Sequence, residues 1–479
     1  MDILDGLNEA QKEAVKTTEG PVLVLAGPGS GKTRALTHRV AYLIKEKNVS
    51  PFNILCVTFT NKAANEMKER IYKLFSPGLT PTTPDFTPHL PWLGTFHSNC
   101  VKILRKEARH LGFGPGFVIY DESDALSAIK KAFNDLGLDP KRINPNAVKS
   151  FIEGAKSELI SPKDYLKQAS GFFAEQVAVI YPRYQEILKS ANAFDFDDLI
   201  MKTVELFRKN PAILAHWQNL FHYILIDEYQ DTNASQYVLV KILAEKRQNI
   251  FAIGDDHQSI YSFRNADFRN ILNFEKDFPG AKVIKLEQNY RSTGKIVEAA
   301  SRVISNNVWK SKKALWTQNE EGVPLIRFGA QDENEEAEFI LNEIEALKQA
   351  DSLGYGDFVL LYRTNAQSRI LEEFFLKIGL PYRLVGALRF YERKEIKDIL
   401  AYLKLLININ DFVSYQRIVN TPPRGIGPKT AEDLNHPKVK EFLGLVEELR
   451  QKRTILPPAA LIEYVINRSG YKDFILDGT

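Results

Sequence analysis

Short apolar runs separated by longer stretches of helical spacing organise this chain. Residues 22–25, 54–58, 223–226, 250–253 and 283–286 are apolar throughout or nearly so, and each passes into polar or glycine-containing residues at its carboxyl end. Runs of this kind predict strands of an open parallel sheet with functional side chains gathered at its C-terminal edge. Between residues 106 and 192 the strand signal disappears and apolar positions recur at helical spacing, as in 124–133 and 176–188. This predicts a helical insertion into the first α/β domain. A second α/β region is expected from about Asn289, with a helix over 334–349 and a strand at Phe358-Val359-Leu360-Leu361-Tyr362. The acids Glu333, Glu335, Glu336 and Glu338 fall near that helix's N-terminus, where the dipole favours them, and read as a solvated face. From Lys394 onward the chain turns helical again. The proline-rich stretch 76–91 reads as a surface loop.

Composition narrows the class without naming a partner. A chain of 479 residues exceeds one core and should form roughly three or four lobes. No apolar run reaches the ~18 residues a membrane span needs. The start, Met1-Asp2-Ile3-Leu4-Asp5, lacks the basic and apolar character of a secretory leader, so a cytoplasmic protein is expected. Cys56 and Cys100 lie in or near apolar segments without metal-ligand spacing and read as buried thiols. A net charge of only +3 means that any nucleic-acid contact must come from local patches.

The chemistry begins after the first run. Ala26-Gly27-Pro28-Gly29-Ser30-Gly31-Lys32-Thr33 is a phosphate-binding loop between strand and helix. Its small residues let successive amides cradle a polyphosphate while the next helix points its positive end at the anion. Lys32 would reach the outer phosphates and Thr33 would ligate Mg²⁺. Ala26 stands where the pattern usually has glycine. The run at 223–226 delivers Asp227 and Glu228 to the same edge. Asp227 is placed to hold Mg²⁺ through its water shell, and Glu228 to deprotonate an attacking water, which favours hydrolysis over transfer to an acceptor. After the next run, Gln258 is suited to sense a γ-phosphate. Tyr261, Phe263 and Arg264 supply aromatic faces and a cation suited to unpaired bases. A phosphate-loop kinase or GTPase is the rival these residues alone leave open.

Taken in order, further motifs extend the pattern: Leu7-Asn8 with Gln11, Thr58-Phe59-Thr60-Asn61-Lys62, Gly94-Thr95-Phe96-His97-Ser98, Asp195-Phe196-Asp197-Asp198-Leu199, Gln288-Asn289-Tyr290-Arg291-Ser292 and Tyr362-Arg363-Thr364-Asn365. The chain resembles the superfamily 1 DNA helicases of the UvrD/Rep/PcrA type over nearly its whole length. The resemblance implies ATP and Mg²⁺ as cofactors. Gln11 would read the adenine edge, Tyr290 would stack on the base with Arg34 nearby, and Arg291 would act as an arginine finger on the γ-phosphate. Phe59, Asn61, His97, Tyr261, Phe263, Arg264, Arg363 and Asn365 would line a single-stranded DNA track. It implies 3′→5′ movement on single-stranded DNA with unwinding at single-strand/duplex junctions, in repair or replication, and no membrane partner. Protein partners are not indicated. The Asp195–Asp198 cluster would be a structural and DNA-coupling segment, without metal. Family members often carry Trp at the position of Phe263 and Asp at that of His257.

The implied fold is α/β, with two RecA-like P-loop NTPase lobes, each interrupted by a helical insertion, and ATP between them. The first lobe would comprise residues 1–105 and 191–286 with its insertion at 106–190. The second would comprise 287–390, with its insertion at 391–479. The family's return to the second lobe carries a Thr-x-His-x-x-Lys-Gly-like motif and an arginine-rich motif, and neither occurs before Thr479. The second lobe is therefore expected to be incomplete, and a nucleotide- and DNA-binding fragment without unwinding is the second rival. Residues 421–430 resemble a helix–hairpin–helix turn, with Gly425, Gly427 and Lys429 placed for a duplex phosphate; a plain glycine–proline turn fits equally.

Overall fold

Side chains that alternate between two buried faces along the apolar runs build one sheet with a core on each side. The computed structural model describes residues 2–75, 90–308, 311, 313–385 and 393–476. Its strands are β1 (Val22–Ala26), β2 (Ile54–Thr58), β3 (Trp92–Thr95), β4 (Val118–Ile119), β5 (Ala193–Phe194), β6 (Tyr223–Ile226), β7 (Ile250–Gly254), β8 (Lys282–Leu286), β9 (Gln288–Asn289) and β10 (Trp316–Thr317). Six of them form the parallel order β3-β2-β6-β7-β1-β8. Val22 and Val24 point into a core with Leu36, Val40 and Met67. Leu23 and Leu25 point into the opposite core with Phe96, Phe194 and Trp217. This period-two division is what a strand buried on both faces requires.

All five predicted strands of this sheet form, and β3 joins them at the edge beside β2. Register sets the functional edge: Leu25 lies level with Gly254, and Val57 with Ile226. The residues just beyond β1, β6 and β7 therefore emerge side by side. The region between β3 and β6 is mainly helical and encloses its own core around Tyr120, Phe133, Tyr181 and Tyr184. A two-stranded pairing, β4 with β5, fastens its ends together.

The chain divides into two compact units, residues 1–322 with 401–471, and residues 323–400 with 472–479. Within the first, C-terminal helices pack on the helical region: Tyr120 donates to Asp411 at 2.7 Å, and Lys404 pairs with Asp124 at 2.5 Å. Helix Phe412–Ile418 leads through the 421–427 turn to the short helix Pro428–Glu432. Gly425 there has φ +66°, and the Arg424 guanidinium donates to the Tyr402 hydroxyl and to the carbonyls of Ile418, Pro422 and Ser469.

In the second unit, helix Glu333–Asp351 forms as predicted, with the acids in its first turn. The predicted strand over 358–362 does not. The backbone is extended at Phe358, but no described strand lies beside the segment, so no ladder forms. Val359 and Leu361 stay 77% and 91% exposed. The proline-rich loop lies outside the described residues except at its end, Leu90–Pro91, as does part of the segment before Lys394. No described helix is long and apolar enough to cross a membrane.

Candidate active site

The loop after β1 owes its shape to two glycines and to neighbours that leave no room for larger residues. Gly29 and Gly31 take φ of +68° and +83°, and Gly31 caps the helix Lys32–Lys45 without a side chain of its own. The loop is braced from within by the Ser30 hydroxyl, which donates to the Gly27 carbonyl at 2.7 Å. Gln11 braces it from outside. Its amide donates to the Ser30 carbonyl at 2.9 Å, and a Cβ on Gly31 would fall 2.7 Å from that amide nitrogen. Asn8 and Gln11 also cap the helix Glu9–Lys16 reciprocally, which fixes the Gln11 side chain.

The residues after β8 fold onto the same loop. Asn289 donates to the Pro28 carbonyl at 2.8 Å, and the Tyr290 amide donates to the Gly29 carbonyl at 3.0 Å. A Cβ on Gly29 would lie 2.9 Å from Arg291 Cβ, so Arg291 starts directly beside the loop. The half-exposed Tyr290 ring is held by its hydroxyl, which accepts from Asn8 at 2.8 Å and donates to Gln288 at 2.7 Å. Gln11, Tyr290, Arg291 and Lys32 thus surround one loop; Arg34 is exposed on the first turn of the following helix.

At the end of β6, Asp227 is buried, and its carboxyl is pushed up to about 7 by burial and then by the neighbouring Glu228, with Lys32 opposing. A divalent cation there would relieve both causes. The Thr33 hydroxyl and the Asp227 carboxylate are hard oxygen donors, and few protein ligands suit an ion that keeps phosphate and water oxygens. Glu228 adopts φ +49°, a left-handed conformation that costs about 1 kcal/mol or more in a non-glycine residue. Gln230 steadies it. Its amide nitrogen donates to Glu228 at 3.0 Å and to Asp231 at 3.2 Å, while its oxygen accepts the Asp255 amide at 2.9 Å. This buried glutamine bridges the ends of β6 and β7, a role that sequence reading left unassigned although Gln230 sits inside the acidic motif. Asp231 is also pushed up to about 7, by burial and then by Glu228. Across the bridge, Gln258 donates to the Asp255 carboxylate at 2.6 Å.

The turn that holds Gln258 continues into the aromatic candidates. Tyr261 lies 5.1 Å from the Phe59 ring and 6.0 Å from Phe263, a ladder of three rings drawn from two loops. Phe263 is 69% exposed; the Arg264 side chain lies outside the described residues. Asn61 begins the helix Asn61–Phe75 just beyond Phe59 and is exposed. His97 packs edge-on against Phe196 at 5.7 Å. Burial pushes its imidazole down to about 4, so it is neutral at pH 7 and contributes no cation. Phe196, 51% exposed between two buried or half-buried acids, joins this surface without having been singled out. Its signal was an aromatic side chain directly after a helix-capping aspartate. Arg363 and Asn365 are exposed and belong to the second unit.

The Asp195–Asp198 cluster encloses a lysine. Lys156, fully buried, pairs with Asp195 at 2.5 Å and Asp198 at 2.9 Å, and Tyr184 donates to Asp195 at 2.7 Å. Asp195 also caps the helix Phe196–Lys209. An ammonium occupies the place between the carboxylates, in keeping with a structural segment.

Comparison with known proteins gives the family. Residues 7–279 match the UvrD/REP helicase N-terminal domain, and residues 284–456 match the UvrD-like helicase C-terminal domain. The chain is 44% identical to the ATP-dependent DNA helicase PcrA of Staphylococcus aureus (strain Mu50) over 99% of its own length and 67% of that protein. It is 49% identical to the ATP-dependent DNA helicase PcrA of Bacillus subtilis (strain 168), over 90% of its own length and 57% of that protein. With both domains matched and the phosphate loop, acidic pair and aromatic ladder on one sheet edge, the chain belongs to the UvrD/REP family of ATP-dependent DNA helicases.

Proposed function

We propose that this chain hydrolyses ATP with Mg²⁺ at the edge formed by β1, β6 and β7, and uses the cycle to travel 3′→5′ along single-stranded DNA. Lys32 and Arg291 hold and neutralise the outer phosphates. Thr33 and Asp227 hold Mg²⁺, and Glu228 takes the proton of the attacking water. Gln11 and Tyr290 receive the adenine, with Arg34 at the rim. The metal, when bound, supplies Lewis-acid polarisation of the phosphoryl group. Phe59, Tyr261 and Phe263 offer their faces to successive bases, with Asn61, His97, Arg264, Arg363 and Asn365 as polar and cationic partners of the strand.

The observation that carries this reading is the 255–264 turn. One end sits in the polar network of Glu228, Gln230 and Asp255, and the other carries Tyr261 and Phe263. A change in the state of the γ-phosphate at Gln258 is thereby passed within a few residues to the base-stacking rings. Displacement of a complementary strand at single-strand/duplex junctions, in cytoplasmic repair or replication, is the use this coupling serves.

The test is ATP turnover with and without a poly(dT) oligonucleotide, followed by unwinding of duplexes carrying a 3′ or a 5′ tail. Strong stimulation by DNA and preference for the 3′-tailed duplex are expected. Turnover indifferent to DNA, or unchanged in Glu228→Gln, would overturn the reading. Turnover without unwinding would leave a strand-binding ATPase in place of a helicase.

A further inference from the structure

A lysine far from every motif of the site is buried in it. Lys313 lies just before β10, and its side chain is fully inaccessible. Its ammonium pairs with Asp255 and, at 2.7 Å, with Asp256. Neighbouring groups fix the same segment. The Ser311 amide and hydroxyl donate to Asp256 at 2.5 and 2.8 Å. Leu315 presses on the phosphate loop so closely that a Cβ on Gly27 would fall 2.0 Å from its methyl group. β10 pairs with β9, the strand that leads into Tyr290 and Arg291. Ser311, Lys313 and the stretch from Leu315 to Thr317 therefore touch the phosphate loop, the turn that holds Gln258 and the strand that leads to Arg291.

The hydrogen bonds give Lys313 a direct line to one of those groups. Both Asp255 oxygens are occupied: Oδ1 accepts the His257 amide at 3.1 Å and faces Lys313, and Oδ2 accepts the Gln258 side chain at 2.6 Å. Two buried carboxylates this close are tolerated because a single cation lies between them. Without it, repulsion between Asp255 and Asp256 would change what Gln258 is bonded to.

We infer that Lys313 is a positioning residue for ATP hydrolysis: by seating Asp255 it holds the Gln258 side chain at the phosphate edge. The inference rests on the assignment of Gln258 as a γ-phosphate contact.

A double-mutant cycle on the full chain tests it, reading DNA-stimulated kcat and the KM for ATP, with a thermal melt of each variant. Lys313→Met is expected to lower kcat on the order of 10- to 100-fold while the KM for ATP stays within about threefold. In a Gln258→Ala background the same substitution should add less than about twofold, because its route to the phosphate has been removed. Lys313→Arg keeps the charge and should recover most of the rate. An equal loss in both backgrounds, a loss expressed in KM, or no loss at all would overturn the inference. Where the methionine variant does not melt cooperatively, the cycle is run with Lys313→Arg, whose smaller loss must likewise vanish beside Gln258→Ala. An arginine variant with wild-type turnover beside an unfolded methionine variant makes Lys313 a residue of the fold alone, and also overturns it. Gln258→Ala with full turnover would instead sink the assignment of Gln258, so the two failures are distinguishable.

Discussion

At one end of the 255–264 turn, Asp255 and Asp256 are buried and hydrogen-bonded on all sides; at the other, Ile260 and Phe263 hold large apolar surfaces in solvent. The buried end is over-determined, with the Gln230 oxygen on one side and Lys313 on the other. Its geometry is paid for before any ligand arrives, as a group that must discriminate a phosphate from its absence requires. The exposed end includes ring contacts, which are broad in angle and indifferent to sequence. A motor that must accept every base needs that tolerance. The two ends should therefore fail differently: the polar end through turnover, the aromatic end through the grip on DNA.

The largest effect is expected where the polar end meets water. Glu228→Gln keeps the shape and the Gln230 neighbour but removes the proton acceptor. DNA-stimulated kcat should fall about 10³-fold, within the range for a lost general base, with nucleotide affinity preserved. Quenched-flow measurement of phosphate release checks it, and a loss confined to KM would move the base elsewhere. Next comes the second buried lysine. Lys156→Met strands Asp195 and Asp198 without a cation, and loss of one partner from a buried pair costs about 3–5 kcal/mol. Here the expected readout is a lowered unfolding midpoint in urea, with turnover at 20 °C nearly intact. That contrast with Lys313→Met separates a lysine that supports the fold from one that supports a catalytic contact.

Much of this was legible along the chain. The strands at β1, β2, β6, β7 and β8 announce themselves because each is buried on both faces and so reads as a continuous apolar run. β3 was passed over because Trp92-Leu93-Gly94-Thr95 is short, follows a proline and contains a glycine. The segment 358–362 has the residues of a strand and lacks its neighbours: pairing is a property of two segments, and one segment's composition does not report it. The phosphate loop, Asp227, Glu228 and Gln258 were visible because their spacing is dictated by local backbone geometry. Gln230, Lys313 and Phe196 were not singled out for the opposite reason. Lys313 lies 58 residues from Asp255, in a Ser-Lys-Lys stretch that reads as solvated surface, and only the fold shows what it faces. Phe196 read as part of an acidic cluster until its ring was found beside His97.

Removing a ring from the aromatic end should produce the complementary phenotype to Glu228→Gln. Tyr261 is the central rung, between Phe59 and Phe263, so Tyr261→Ala interrupts the ladder at its middle. Affinity for poly(dT), measured by fluorescence anisotropy, should weaken by about 1–3 kcal/mol. ATP turnover without DNA should be unchanged, and saturating DNA should restore much of the stimulated rate. Phe263→Trp, which enlarges the stacking face, should strengthen binding. Weaker nucleotide binding in Tyr261→Ala would show that the two ends are not separable.

The smallest effect is a pH dependence of stability in the acidic cluster beside the proposed strand surface. Asp197 is pushed up to about 8, by burial and then by Asp195, with Lys156 opposing and Glu153 and Asp198 adding to the rise. Its folded-state value exceeds the unfolded one near 3.8, so between pH 4 and 8 the native chain binds the extra proton. Stability then falls as pH rises through that window, because the slope follows protons bound unfolded minus protons bound native. Asp197 is partly open to solvent, which screens the cluster, so a contribution of about 1 kcal/mol is expected rather than the full value of the shift. Urea unfolding at pH 5.5 and 8.0 should show Asp197→Asn flattening the slope and gaining its advantage at the higher pH. His97, held near 4 by burial, works with the opposite sign: the unfolded chain takes up a proton below about 6.5 that the native chain refuses. A slope that Asp197→Asn leaves intact while His97→Gln alters it would place the titration on the histidine side of Phe196, and the acidic cluster would then be ionised throughout.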